Sequence, residues 1–213
     1  MTKKEFAIAN YKRFCAMEGS EYIASEFALE IVLRLIDKYK IRTVLEMGLG
    51  IGAIADTVLG YSKKHDLGIE YTGTEANEFC LGALRKNVRD YDKIDLHSEL
   101  RDVKAQTFDL IIIDGYDESL AQIKKYCHAR TIIFIEGDRK NQTSNVLEIF
   151  PEAKHVNIIT LERRKEYAHG EVPQNNYVGG GQLIFVNPDA AMKLHWLGEK
   201  LSTYVKRKRR KFK

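Results

Sequence analysis

Thr43 to Ala53 reads TVLEMGLGIGA. Val44 and Leu45 open a short apolar run. Glu46 and three alternate glycines, Gly48, Gly50 and Gly52, follow, and beyond them the apolar spacing turns helical. A buried strand, a glycine turn and a helix N-terminus in that order let backbone approach a nucleotide-like ligand closely. Glycine suits the turn because a Cβ would fill the approach and because positive φ is open to it. The glycines alone leave two kinds of site open. Read as Gly48-x-Gly50-x-x-Ala53, they also satisfy the dinucleotide fingerprint, which accepts alanine at its last position. Glu46 separates the two, because a carboxylate two residues before the first glycine repels a pyrophosphate and welcomes a cation.

The flanks alternate strand and helix patterns. Upstream, residues 3–18 carry a single apolar stripe, and Ser20 is placed to cap a second helix over 21–40, whose wide apolar face suits packing on a sheet. Downstream, a helix is expected over 51–64, a strand over 70–74, a helix over 77–89 and a short strand over 93–97. FDLIIID, Phe108 to Asp114, is the clearest strand; apolar on both faces, it belongs at the centre of a parallel sheet covered on both sides. A helix over 118–127, a strand over 131–135, a helix over 142–150 and a strand over 156–161 follow. A long polar loop, 162–180, holds His169, Asn175, Asn176 and Tyr177 before a last strand over 182–186. Loops of that length in compact domains are usually functional or disordered. The alternation throughout predicts an α/β fold.

Three carboxylates stand where such a fold binds ligands, at the carboxyl ends of its strands. Glu46 precedes the glycine turn, Glu75 ends the second strand and Asp114 ends the fourth. Glu75 is placed to accept hydrogen bonds from both ribose hydroxyls, or else to cap the next helix. Asp114 has the alternative of capping the helix near Glu118. Glu136-Gly137-Asp138-Arg139 closes the fifth strand with a further acidic cluster.

Glu-x-Gly-x-Gly-x-Gly at 46–52, Glu75 and FDLIIIDG together resemble the class I S-adenosylmethionine-dependent methyltransferases, most nearly the small-molecule O-methyltransferases, over residues 40–187. The resemblance implies a doubly wound, mostly parallel seven-stranded sheet with a C-terminal antiparallel hairpin and helices on both faces. It implies S-adenosylmethionine as cofactor, held by Glu46, Gly48, Gly50, Gly52, Glu75 and Asp114, with His97 or Ser98 flanking the adenine. The reaction implied is methyl transfer to a hydroxyl of a small molecule or saccharide, with Asp114, Asp138 or His169 as the base, in that order. In catechol-type members the aspartate matching Asp114 binds a divalent metal. Here Glu136-Gly137 stands where those members carry Asp-Asn, which argues against a metal. Asp114-Gly115-Tyr116-Asp117 replaces the Asn-Pro-Pro-Tyr type of motif found in nucleic-acid amino methyltransferases. The rival readings are an NAD(P)-dependent oxidoreductase and a non-catalytic, nucleotide-binding, RNA- or membrane-associated module.

The totals fit one domain. The 213 residues are 44% hydrophobic and 30% charged, with no apolar run near membrane-spanning length. Three separated cysteines, Cys15, Cys80 and Cys127, predict reduced thiols and a cytoplasmic protein. The net charge of +4 is local: KRKRRKFK, residues 206–213, holds seven positive charges, leaving −3 on residues 1–205. The expected organisation is N-terminal helices over 1–40, the Rossmann-like domain over 41–187, a C-terminal helix over 188–205 and a basic tail over 206–213. The tail reads as a solvated end, or as a contact for nucleic acid or for an anionic surface at the inner face of a membrane.

Overall fold

The computed structural model of the protein describes residues 1–168, 177 and 179–211. One seven-stranded sheet organises the chain: β1 (Thr43–Met47), β2 (Glu70–Thr74), β3 (Ile94–His97), β4 (Phe108–Ile113), β5 (Cys127–Glu136), β6 (Lys154–Ile159) and β7 (Gly180–Phe185). The strand order is β3-β2-β1-β4-β5-β7-β6. The pairs from β3 to β5 are parallel, and β7 runs antiparallel to both β5 and β6. The expected sheet and closing hairpin are therefore present.

Alternation along the strands builds two cores, because successive side chains leave opposite faces. Leu110 and Ile112 of β4 join one core with Val44, Ile132 and Phe134; Ile111 and Ile113 join the other with Leu45, Met47, Ile133 and Ile135. The first face is covered by α1 (Lys3–Cys15), α2 (Glu26–Tyr39), α3 (Ala53–His65) and α4 (Glu78–Asn87). The second is covered by 3-10 turns over Glu118–Tyr126 and by α5 (Lys140–Ile149).

Three expectations are corrected. The second helix begins at Glu26 rather than Glu21. Ser25, not Ser20, is its cap, with Oγ accepting from the Ala28 amide at 3.3 Å. Residues 20–22 form a 3-10 turn instead, and the Tyr22 carbonyl accepts from the Ile51 amide at 3.4 Å. The segment unwinds because it crosses over the glycine turn. The stretch 118–126 likewise forms 3-10 turns, capped by Asp117, which accepts from Ser119 N at 2.7 Å and Leu100 N at 2.8 Å. Asp114 is thus not the cap.

The basic tail is the third correction. α6 (Ala190–Lys211) runs on to Lys211 rather than ending at 205. Residues seven apart stay on one helix face, and that face here covers the exposed edge of β6. Trp196 Nε1 donates to His155 O at 2.7 Å, Thr203 Oγ1 to Asn157 O at 2.8 Å and Arg210 Nε to Thr160 O at 3.0 Å. Arg207 adds a bond to Asn157 Oδ1 at 3.2 Å. Two of the tail's charges are therefore turned onto the sheet edge, which gives the last turns a reason to stay helical.

Candidate functional site

The site lies where β1 and β4 end side by side. Met47 O accepts from both Asp114 N, at 2.9 Å, and Gly115 N, at 2.7 Å, which brings the two strand exits together. Gly48 and Gly115 then pass so closely that a Cβ on Gly48 would overlap Gly115 backbone. Gly50 adopts φ +53°, and a Cβ there would run into the Tyr22 carbonyl. Gly52 faces inward instead. A side chain there would strike Val88 and Leu84, so this glycine seats the start of α3 against α4.

A crevice of about 270 Å³ opens over this turn, lined among others by Glu21, Tyr22, Gly48, Gly50, Glu75, Asp114, Glu136 and Arg139. A second lobe of about 290 Å³ shares Gly48, Glu75 and Gly115 and adds Thr74, Ser98 and Tyr116. Glu75 sits between the lobes. Its carboxylate accepts from the amides of Gly50 (2.8 Å), Ala76 (2.9 Å) and Asn77 (2.8 Å), which fixes it at the tip of β2. A larger apolar groove of about 710 Å³, between α2 and α6, touches none of these residues.

Asp114 and Glu136 face the crevice from adjacent strand ends. Ser25 Oγ donates to Glu136 Oε1 at 2.8 Å. Arg139 spans both, its Nε bonded to Glu136 O at 3.1 Å and its terminal nitrogen to Asp114 Oδ1 at 3.0 Å. Burial, reinforced by the charge of Glu136 and opposed by Arg139, pushes the Asp114 pKa up to about 8. A carboxyl in that range suits proton acceptance near neutral pH.

The other expected site residues are placed differently. Glu46 is 1% exposed, lies outside the crevice lining and accepts a hydrogen bond from the Tyr71 hydroxyl. Burial drives its pKa well above the carboxylate range, against the pull of that bond. Glu46 therefore does not present its charge to the crevice, contrary to the expectation from sequence. Ser98 lines the second lobe; His97 does not, and its Nε2 lies 3.1 Å from Asp95 Oδ2. Asp138 is not in the crevice lining but borders the neighbouring cavity, its side chain 72% exposed and 3.9 Å from Lys140 Nζ. His169, Asn175 and Asn176 lie outside the described residues. Nothing in the sequence marks Glu21, whereas Tyr22, near the start of the expected second helix, reads either as facing a ligand or as surface; the unwound 20–22 segment brings both over the turn.

For a metal, the donor set fits poorly. Among the described residues no group of three or more His, Cys, Asp or Glu is gathered as for an ion. The cation beside Asp114 is Arg139.

No protein-family model and no curated protein matches the chain. Solved structures do. The chain is similar to an O-methyltransferase from Bacillus cereus in complex with SAH, with a TM-score of 0.58 and 14% identity over 87% of this chain and 92% of that one. It is similar to the O-methyltransferase TomG from Streptomyces achromogenes, involved in tomaymycin synthesis and in complex with SAM, with a TM-score of 0.57 and 11% identity over 88% and 91%. An SAH-bound methyltransferase from Podospora anserina gives 0.54 and 12% over 85% and 88%. At such identities the likeness establishes the fold, which is the Rossmann-like class I methyltransferase fold.

Proposed function

We propose that the protein is an S-adenosylmethionine-dependent O-methyltransferase acting on a hydroxyl of a small molecule or saccharide. The observation that carries this reading is the charge of the crevice. Among the described residues Glu21, Glu75 and Glu136 line it, with the ionisable Asp114, against the single cation Arg139. Such a lining attracts a ligand bearing a sulfonium and an ammonium, and repels the pyrophosphate that a nicotinamide dinucleotide would lay over the same turn. That the similar solved structures hold SAH or SAM supports the same reading.

In this reading Gly48 and Gly50, which let the Gly115 backbone and the Tyr22 carbonyl close around the turn, line the donor's bed, Glu75 takes the ribose hydroxyls and Ser98 flanks the adenine lobe. The donor supplies a methyl group already activated by its sulfonium. The chain supplies position and a proton acceptor. Asp114, once ionised, takes the proton of the attacking hydroxyl, and Arg139 holds the resulting carboxyl in place. Incubation with methyl-labelled donor and a panel of saccharides, phenols and RNA tests this. Label is expected in a hydroxylated small molecule; label in RNA alone, or none in any acceptor despite donor binding, contradicts it.

For the outward face of α6 we favour an anionic lipid surface over nucleic acid. Leu194, Leu197, Leu201, Tyr204 and Val205 form an exposed apolar stripe at helical spacing. Lys193, Lys200 and Lys208 flank it. Nucleic acid needs the charges but not the stripe, whereas a membrane interface uses both. Among the described residues no helix is long and apolar enough to cross a membrane, so the attachment would be peripheral, at the cytoplasmic face. Sedimentation with phosphatidylglycerol vesicles, but not with phosphatidylcholine vesicles or RNA, is expected; binding to RNA alone contradicts it.

A further inference from the structure

Beside the donor crevice lies a second cavity of about 570 Å³, and Ser25, Glu136, Asn157, Lys140, Arg207 and Arg210 are among its walls. Glu136 lines both spaces, so whatever fills one adjoins the other. The character of the second space is different: the crevice is acidic, whereas this one sets three cations, Lys140, Arg207 and Arg210, against two carboxylates, Glu136 and Asp138.

The two arginines are the unusual feature. They stand three residues apart on α6, a spacing that puts neighbouring side chains on one helix face. Both are anchored through neutral oxygens, Arg207 to Asn157 Oδ1 at 3.2 Å and Arg210 to Thr160 O at 3.0 Å. Arg210 also lies over the Tyr177 ring, 4.2 Å from its centroid. Among the described residues neither forms an ion pair with a carboxylate. Burial pulls the Arg210 pKa below the usual guanidinium range, against the pull of Tyr177 and with a smaller push from Arg207. Of the two acids nearby, Asp138 is 72% exposed and turned to Lys140, and Glu136 is bound by Ser25. Opposite the arginines, Gly179, Gly180 and Gly181 line the cavity without side chains. The chain thus sets two guanidiniums, ion-paired to no carboxylate among the described residues, on the wall of a concave space, and a planar guanidinium fork is suited to a phosphate or carboxylate.

We infer that this cavity is the anion subsite of the acceptor: the molecule that is methylated carries an oxyanion group, held by Arg207 and Arg210, and reaches past Glu136 into the donor crevice with its hydroxyl. The inference rests on the methyltransferase reading for the word acceptor, and on the cavity alone for the anion.

Calorimetry on the full chain separates the two. The probes are inorganic phosphate, glucose 6-phosphate, glucose and S-adenosylhomocysteine, titrated into the wild type, Arg207→Gln, Lys140→Gln and Arg207→Lys. Arg207 carries one exposed hydrogen bond and Lys140 none, so these variants spare the fold; a thermal melt checks this. Phosphate and glucose 6-phosphate, but not glucose, are expected to bind the wild type. Arg207→Gln should weaken them at least tenfold, Lys140→Gln less, and Arg207→Lys should recover part of the loss. S-adenosylhomocysteine binding should be equal in all four. Binding of S-adenosylhomocysteine without phosphate binding, or phosphate binding unchanged by Arg207→Gln, overturns the anion subsite alone. Phosphate binding without S-adenosylhomocysteine binding overturns the donor reading, and with it the acceptor role. Vesicles of phosphatidylglycerol distinguish a lipid headgroup from a free anion: loss of vesicle binding in Arg207→Gln with phosphate binding intact overturns the small-molecule assignment.

Discussion

Asp56, which is buried, and Asp114, which is half-buried at the crevice, both meet arginine, and they titrate in opposite directions. Asp56, 1% exposed on α3, receives two guanidiniums, Arg13 at 2.5 Å and Arg89 at 2.6 Å, and the Arg89 amide at 2.8 Å. Burial alone would raise its pKa, but the bonds and charge of Arg89, with Arg13, outweigh burial and the net shift is downward. Asp114 has one arginine and, against it, the neighbouring carboxylate Glu136; burial wins and the pKa rises to about 8. What separates the two is the balance of charges at the carboxylate: two guanidiniums at Asp56, one guanidinium and a competing carboxylate at Asp114. The Asp56 cluster ties α1 to α3 and to the chain after α4 and has no charge left to give. The Asp114 cluster is left short of positive charge, which is the condition a cationic ligand relieves.

The comparison breaks most sharply at Asp114. Asp114→Asn is expected to lower methyl transfer by about a hundred- to ten-thousandfold, the range for a lost general base, while the melting temperature holds or rises. Radiolabel transfer beside a thermal melt reads both, and retained activity would remove Asp114 from the role of base. Asp56→Ala should do the reverse. It strands two arginines whose heads partly reach solvent, so a loss near the lower end of the range for broken buried pairs, about 3 kcal/mol, is expected in urea unfolding. Donor binding should persist below the transition. Gly50→Ala asks for a left-handed alanine under the Tyr22 carbonyl and should cost about 1–2 kcal/mol together with weakened donor binding; an unchanged variant would mean that the turn tolerates a side chain.

The smallest effect is in pH. A carboxyl whose folded pKa is raised stabilises the fold while protonated, so the Asp114 contribution is present at low pH and is lost as pH rises from its unfolded value, about 3.9, toward about 8. The Asp56 shift is downward, so its contribution is present above the unfolded pKa and is lost as pH falls through the folded value. Asp114→Asn should flatten the decline between pH 5 and 8 and leave the acid limb alone; a slope unchanged in that variant would assign the decline to another group.

Much of the frame was legible because it is written in local patterns. FDLIIID declared a central strand, and the alternation of strands and helices placed Asp114 and Glu75 at strand tips. What the sequence hid depends on contacts between distant segments. Glu21 and Tyr22 reach the crevice only because residues 20–22 unwind across the glycine turn. Glu46 reads as a charge facing a ligand, but its pairing with Tyr71, 25 residues on, buries it behind the turn. The basic run reads as a loose end because charge density is visible in a sequence, whereas the carbonyl of Thr160 that holds Arg210 just past β6 is not.

On the proposed reading the acidic glycine crevice accepts a cationic adenosyl donor through Glu75. Calorimetry of S-adenosylmethionine and NADH with the wild type and Glu75→Ala tests it most directly. The account expects S-adenosylmethionine to bind the wild type, at least tenfold more weakly to bind the variant, and NADH to give no heat. NADH binding with no response to S-adenosylmethionine, or equal affinity of the donor for both proteins, would contradict it.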